Sequence, residues 1–361
     1  MENNGVWSFG EKKVTLSTRE DLILDLKNVN VKFKVEDDTL HILRDVSLSL
    51  PRGSFLCVVG ESGCGKSVTA QAIVQLLPDN GQISSGKIEF STDKQVVELN
   101  TLEKFGKQMR DIRGAKIGMI FQDTLSSLNP AHKVGRQVAE SLLQHMDISK
   151  DEARARVIEL FRKLGIPDPE RRYEAYPHEF SGGMRQRVMI AIATVCEPDL
   201  VIADEPTTAL DVTIQAQIMT LLKDLQKTAG KSFILITHNM ALVSEVADHV
   251  AVMYLGRVVE YGTVNEVLRD PRHPYTKALM ASVPTLDADK DVELQTVDGQ
   301  TPSPAEVTVG CEFAGRCPYV IDACKEKTIE MTQISSSHEV RCIRLDANGK
   351  LPVLVGGANN E

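Results

Sequence analysis

Phe180-Ser181-Gly182-Gly183-Met184 decides the reading of this chain, because of what stands on either side of it. Upstream lies Gly60-Glu61-Ser62-Gly63-Cys64-Gly65-Lys66-Ser67, and downstream the apolar run Leu200-Val201-Ile202-Ala203 closes on two acids, Asp204 and Glu205. The upstream stretch has the form of a phosphate-binding loop, in which a curled backbone turns N–H groups toward an anion and a lysine adds charge. It follows the short apolar run Phe55-Leu56-Cys57-Val58-Val59 and precedes a helix-like stretch from Val68 to Leu77. Buried strand, loop and helix in that order distinguish a phosphate loop from an ordinary glycine turn. The Ser-Gly-Gly turn between loop and acids narrows the field further, since a phosphate loop alone occurs in many unrelated nucleotide-binding proteins.

The runs around this centre sort by period. Leu24 to Val31 and Val46 to Leu50 alternate apolar and polar residues, as half-buried antiparallel strands do. Phe55–Val59, Lys116–Ile120, Asp199–Ala203 and Ser232–Thr237 are short and mostly apolar, which suits parallel strands buried on both faces. Between the last two, Ile214, Ile218, Leu221, Leu222 and Leu225 mark an amphipathic helix. Alternating strands and helices predict an α/β fold with a parallel core sheet and an antiparallel β subdomain. Residues 129–185 open with the breaker Asn129-Pro130 and predict an inserted helical subdomain. There Ser149-Lys150-Asp151-Glu152 reads as a capping box, followed at helical spacing by Ala153, Val157, Phe161 and Leu164. The expected organisation is a loosely held extension over 1–22, a nucleotide-binding domain over 23–265 and a small C-terminal extension over 266–361.

Composition sets limits on what such a chain does. With 361 residues, 42% of them hydrophobic and 25% charged, it can bury a full core. A net charge of −9 and the lack of a long basic stretch argue against a nucleic-acid partner, which needs clustered Lys and Arg. No apolar run reaches the roughly 18–20 residues that cross a bilayer, so the expected place is the cytosol, with membranes reached through a partner. Seven cysteines in such a compartment do not suggest a disulfide framework.

The residue types predict the chemistry. Lys66 places a positive charge at the phosphates, Ser67 offers a hydroxyl to Mg²⁺, and Asp204 at a strand end holds Mg²⁺ through water. Glu205, one residue farther on, is placed to polarise a water attacking the γ-phosphate. Two acids ending a strand are commonplace alone; the phosphate loop gives them a purpose.

Loop, Ser-Gly-Gly turn and acid pair together resemble an ATP-binding-cassette (ABC) ATPase, and further elements follow in that family's order. Gln122 in Ile120-Phe121-Gln122-Asp123 resembles its glutamine loop, which senses Mg²⁺ and contacts the membrane partner. His238 after Ile234-Leu235-Ile236-Thr237 resembles its switch histidine. Thr208-Ala209-Leu210-Asp211 resembles the segment that signals across its dimer interface. The resemblance implies ATP as ligand, contacted by residues 60–68 including Val68, with Phe33 a candidate platform for adenine. It also implies that Ser181, Gly182 and Gly183, opening the helix from Met184 to Ala193, grip the nucleotide of an opposite cassette.

Several segments are similar to the D-type ATP-binding subunit of bacterial dipeptide and oligopeptide permeases. They include Gly60 to Gly63, Ser127-Leu128-Asn129-Pro130, Phe180 to Val188 with methionine at 184, Ala203 to Thr213, and His273-Pro274-Tyr275-Thr276. Gly310-Cys311-Glu312-Phe313 and Arg316-Cys317-Pro318 match the cysteine region of its C-terminal extension. That resemblance implies an ATPase on the cytoplasmic face of the membrane, energising peptide import. Its partners would be a second, F-type cassette, two transmembrane permease subunits and a peptide-binding protein. Import of another solute, such as nickel, and a non-transport ATPase acting on nucleic acid or ribosomes are the alternatives. The spacing of Cys311, Cys317, Cys324 and Cys342 lacks close Cys pairs and leaves metal site and free thiols open. The permease resemblance implies four thiolates holding a candidate four-iron, four-sulfur cluster (4Fe-4S), with zinc or unliganded thiols as the other readings.

Overall fold

The computed structural model describes residues 21–122, 127–207, 210–282, 297, 299–306 and 309–353. Most of the expected N-terminal extension, and Asp123, Thr208 and Ala209 of the segments above, lie outside the described residues.

The chain builds two sheets. Leu22–Val35 (β1), Asp38–Pro51 (β2), Gly81–Ser91 (β4) and Val96–Glu98 (β5) pair antiparallel in the order β2-β1-β4-β5. In the second sheet, Ile117–Ile120 (β6), Leu200–Asp204 (β7), Ser232–Ile236 (β8), Phe55–Val59 (β3) and His249–Tyr254 (β9) run parallel. Arg257–Thr263 (β10), Glu339–Val340 (β12) and Thr332–Gln333 (β11) continue it antiparallel beyond β9.

Every residue of β3, β7 and β8 is buried, as a strand covered on both faces requires. Because side chains alternate across a strand, the central sheet feeds two cores. Leu56, Val58, Leu200, Ile202 and Ile234 pack with Leu24, Leu26, Val31 and Val46 of the antiparallel sheet. Phe55, Cys57, Val201, Ala203, Phe233 and Leu235 face the helices instead, with Phe55 stacked on Phe233 at 5.2 Å between ring centres.

The helical insert consists mainly of Val134–His145, Lys150–Lys163 and Pro169–Tyr173. Ser149 caps the second helix, its hydroxyl accepting from Glu152 N at 3.1 Å. Glu152 does not reach back as a capping box would; its carboxylate accepts from Arg156 one turn on, at 2.7 Å. Ala153, Val157 and Phe161 are fully buried on the expected face. Past residue 266 the chain stays on the main sheet, since Val340 pairs with Glu260. No helix among the described residues is long and apolar enough to cross a membrane.

Candidate functional site

The phosphate loop joins β3 to the helix Lys66–Ile73. Gly60 (φ 151°) and Gly65 (φ 103°) sit where a side chain is barred twice over: a Cβ on Gly60 would lie 2.1 Å from the Met253 carbonyl oxygen, and one on Gly65 would lie 2.7 Å from Leu43. Ser62 and Gly63 are exposed at the tip of the loop, while Cys64 and Lys66 are buried. The Lys66 ammonium donates to the carbonyls of Gly60 and Glu61, at 2.8 and 3.0 Å, so it spans the loop from within. Val68 is half-buried and packs against the core shared with the antiparallel sheet. The helix expected to run to Leu77 stops at Ile73, and Gln75 turns into the left-handed region at φ 50°.

Facing the loop, Ser67 Oγ donates to Asp204 Oδ1 at 3.0 Å. Asp204 is buried, and that burial raises its carboxyl above the usual range; Ser67 opposes the shift and the Glu205 charge adds to it. Glu205 follows in a left-handed conformation (φ 45°), its N–H donating to Ile236 O at 2.9 Å. Its carboxylate accepts from Gln122 Nε2 at 3.1 Å and lies 3.3 Å from His238 Nδ1. The meeting follows from topology: β6, β7 and β8 are neighbouring parallel strands, and Gln122, Glu205 and His238 follow their C-terminal ends, where open α/β sheets bind ligands.

The other predicted residues stand elsewhere. Ser181 N-caps the helix Gly182–Thr194 through Met184 N at 3.4 Å, and Asp211 N-caps Val212–Ala229 through Ile214 N at 2.9 Å. These helix starts adjoin, with Gly182 beside Leu210 and Gly183 beside Ile214. Among the described residues they share no hydrogen bond with the Gln122–Glu205–His238 group. Phe33 lies opposite Leu40 and Gly81 in the antiparallel sheet, its ring directly over Gly81.

Sequence reading missed a collar that the C-terminal region places around the loop. The Arg316 guanidinium forms two bonds to the Glu61 carboxylate, at 2.8 and 3.1 Å, and Thr301 Oγ1 adds another. Burial alone would raise the Glu61 carboxyl, but the Arg316 and Thr301 bonds outweigh it and hold the group below the usual range. The Glu61 N–H donates to the Tyr275 hydroxyl at 2.9 Å. Tyr275 belongs to the helix Pro274–Ala281, which His273 caps by accepting from Tyr275 N at 3.1 Å. The rings of Tyr254, Tyr275 and Phe313 pack together beneath. His-Pro-Tyr was visible as a motif, yet nothing local pairs Glu61 with an arginine 255 residues away.

Cys311, Cys317, Cys324 and Cys342 line one cavity together with His273, Pro274, Phe313 and Ile329. All are free thiols; burial pushes Cys311 up to about 12 and Cys342 up to about 11, and raises Cys317. Among the described residues no three His, Cys, Asp or Glu side chains converge closely enough to hold a metal ion. The four cysteines thus share one cavity without such a convergence.

Comparison with known proteins agrees with this geometry. Residues 43–208 match the model of the ABC transporter family, and residues 259–324 match that of the oligopeptide/dipeptide transporter C-terminal region. The chain is 47% identical to the dipeptide transport ATP-binding protein DppD of Bacillus subtilis, over 94% of this chain and 99% of that one. It is 48% identical to the oligopeptide transport ATP-binding protein OppD of the same organism, over 88% of each. Among solved structures it resembles a dimeric ATP-binding cassette in a post-hydrolysis state bound to ADP and Pi, at 28% identity and a TM-score of 0.59, over 67% of this chain and 98% of that one. A glycine-rich loop between a buried strand and a helix, acids that follow it across the sheet and a C-terminal region shared with these relatives have one explanation: this chain belongs to the ABC transporter family of ATP-binding ATPases, in the group carrying the oligopeptide/dipeptide transporter C-terminal region.

Proposed function

We propose that the chain is the ATP-hydrolysing subunit of an importer of di- or oligopeptides, working at the cytoplasmic face of the cell membrane. The observation that carries the ATPase chemistry is the convergence of Gln122, Glu205 and His238 beside the Ser67–Asp204 pair. The backbone N–H groups of residues 60–68 bind the phosphates, with Lys66 as the buried charge. Glu205 orients the attacking water and draws its proton; Gln122 and His238 hold the Glu205 carboxylate and report the state of the γ-phosphate. Phe33, packed on Gly81 on one side, is the proposed platform for adenine.

Ser67 and Asp204 fit Mg²⁺: both are hard oxygen donors, 3.0 Å apart, and the raised carboxyl of Asp204 marks a buried group that a cation would favour in its charged form. Held by Ser67 and Asp204, Mg²⁺ would supply neutralisation of charge on the phosphates. Ser181, Gly182 and Gly183, away from this chain's own acids, suit a second role as anion donors to a partner cassette, with Asp211 beside them at the junction. The resemblance to peptide permeases supports a different, F-type chain as the partner cassette, with two membrane subunits and a peptide-binding protein completing the complex. For the four cysteines, the reading proposed is a 4Fe-4S cluster held by their thiolates at the shared cavity, and its assembly would displace the thiol protons.

The test uses the assembled transporter in lipid vesicles. Glu205→Gln is expected to bind ATP as the parent does and to lose at least about 100-fold in turnover, as loss of a general base does. Turnover within tenfold of the parent would refute the role of Glu205. If peptide-loaded binding protein fails to stimulate the parent complex, the peptide reading falls.

A further inference from the structure

We propose that Arg316 is a positioning residue for the phosphate loop, holding and neutralising Glu61 so that the turn between Cys311 and Cys317 supports the loop's affinity for ATP. The inference rests on the reading of residues 60–68 as the nucleotide site.

Glu61 is gripped at three places. Its N–H donates to Tyr275, its carbonyl accepts from Lys66, and its carboxylate accepts from Arg316 and Thr301. Two of the three grips come from the C-terminal region. A carboxylate in a loop that receives phosphates is a liability, because it repels their oxygens and competes for the same donors. Arg316 removes that liability with a two-pronged, charge-assisted contact whose arginine side chain is only 7% exposed. The guanidinium is itself fixed: it donates to Val297 O at 2.9 Å and to the Tyr254 hydroxyl at 3.3 Å, and lies 5.8 Å from the ring centres of Tyr254 and Phe313.

The turn that presents Arg316 is built between two cysteines. Ala314 N donates to Cys311 O at 3.0 Å, Cys317 N donates to Ala314 O at 3.4 Å, and Cys311 N donates to Cys324 O at 2.7 Å. The turn that carries Arg316 is thus tied to the backbone of Cys311 and Cys317 at one end and, through the guanidinium, to the Glu61 carboxylate at the other. The region reaches the loop by contact alone, without entering the chemistry.

Steady-state ATP hydrolysis by the assembled transporter tests this through the separation of KM from kcat. Arg316→Gln leaves the Glu61 charge exposed and is expected to raise KM for ATP about tenfold with kcat within twofold. Adding Glu61→Gln removes that charge and is expected to return KM to within threefold of the parent, a rescue that a merely structural arginine would not show. Should Arg316→Gln fail to assemble, Arg316→Lys serves, with an expected threefold rise because one prong is kept. An unchanged KM in the assembled variant, a fall in kcat at constant KM, or a double variant no better than Arg316→Gln would each overturn the inference. Lys66→Ala is the separate check of the loop: if ATP still binds with parental affinity, the reading of the nucleotide site fails instead.

Discussion

Two glutamates, Glu205 and Glu260, show how differently this fold treats a carboxylate at the proposed nucleotide pocket and one beneath the C-terminal collar. Glu205 stands past the end of β7 in the left-handed region, with Gln122 at 3.1 Å and a His238 side chain that is itself 66% exposed at 3.3 Å. Glu260 lies within β10 and is fully buried; it accepts from Arg272 N at 2.8 Å, His273 N at 2.9 Å and His338 Nε2 at 2.8 Å. Long contacts to exposed groups yield easily to a water or a nucleotide oxygen, whereas a buried carboxylate is tolerated only where donors fill its lone pairs. In the proposed function the pocket is the part that its ligand rearranges, while the donors around Glu260 stay as they are.

The largest test of that contrast is Glu260→Ala, which strands two backbone N–H groups and an imidazole in the interior. It is expected to lower stability by about 3–5 kcal/mol in denaturant unfolding, and a loss below about 1 kcal/mol would break the contrast. Next comes acid. Burial, with the Arg341 charge behind it, lowers His273 to about 3, so the folded chain keeps this imidazole neutral. Unfolded, it titrates near 6.5, so between the two values the unfolded chain binds the extra proton and stability falls as pH drops. From pH 7 to pH 5 the expected loss is about 2 kcal/mol, read by thermal unfolding across pH. His273→Asn, which can still cap the helix, should flatten that slope; an unchanged slope would free His273 of the effect. The smallest is Tyr275→Phe, which deletes the acceptor for Glu61 N–H. It should cost about 1 kcal/mol in the same measurement, and a larger loss would place more of the loop's support in the collar than its bonds indicate.

The pocket was legible in the sequence and the collar was not. Gln122, Glu205 and His238 each follow a short apolar run, and the rule that parallel strands carry ligands at their C-terminal ends brings such residues together once the strands are neighbours. The Ser149 cap was equally local, although Glu152 turned to Arg156 instead of closing the box, since an arginine one turn away competes for the same carboxylate. Glu61 read only as one more loop residue. Its partners Tyr275, Thr301 and Arg316 come from separate segments late in the chain, and no periodicity links such positions. The cysteines were visible as a cluster in sequence, but their common cavity was not, because it is closed by His273, Phe313 and Ile329 from three separate segments.

By itself the sequence determined the α/β plan, the phosphate loop, the acids across the sheet and the family to which they belong. Each of these is written in short-range patterns: a period of two or of 3.6, a glycine where φ must be positive, a carboxylate where a strand ends. Only the tertiary structure decided that the late segments return to grip the loop, pairing Arg316 with Glu61 and Tyr275 with the same residue's backbone. Such contacts depend on where the chain's ends are carried by the sheet, and a charge pair between distant segments leaves no mark on the residues around either partner.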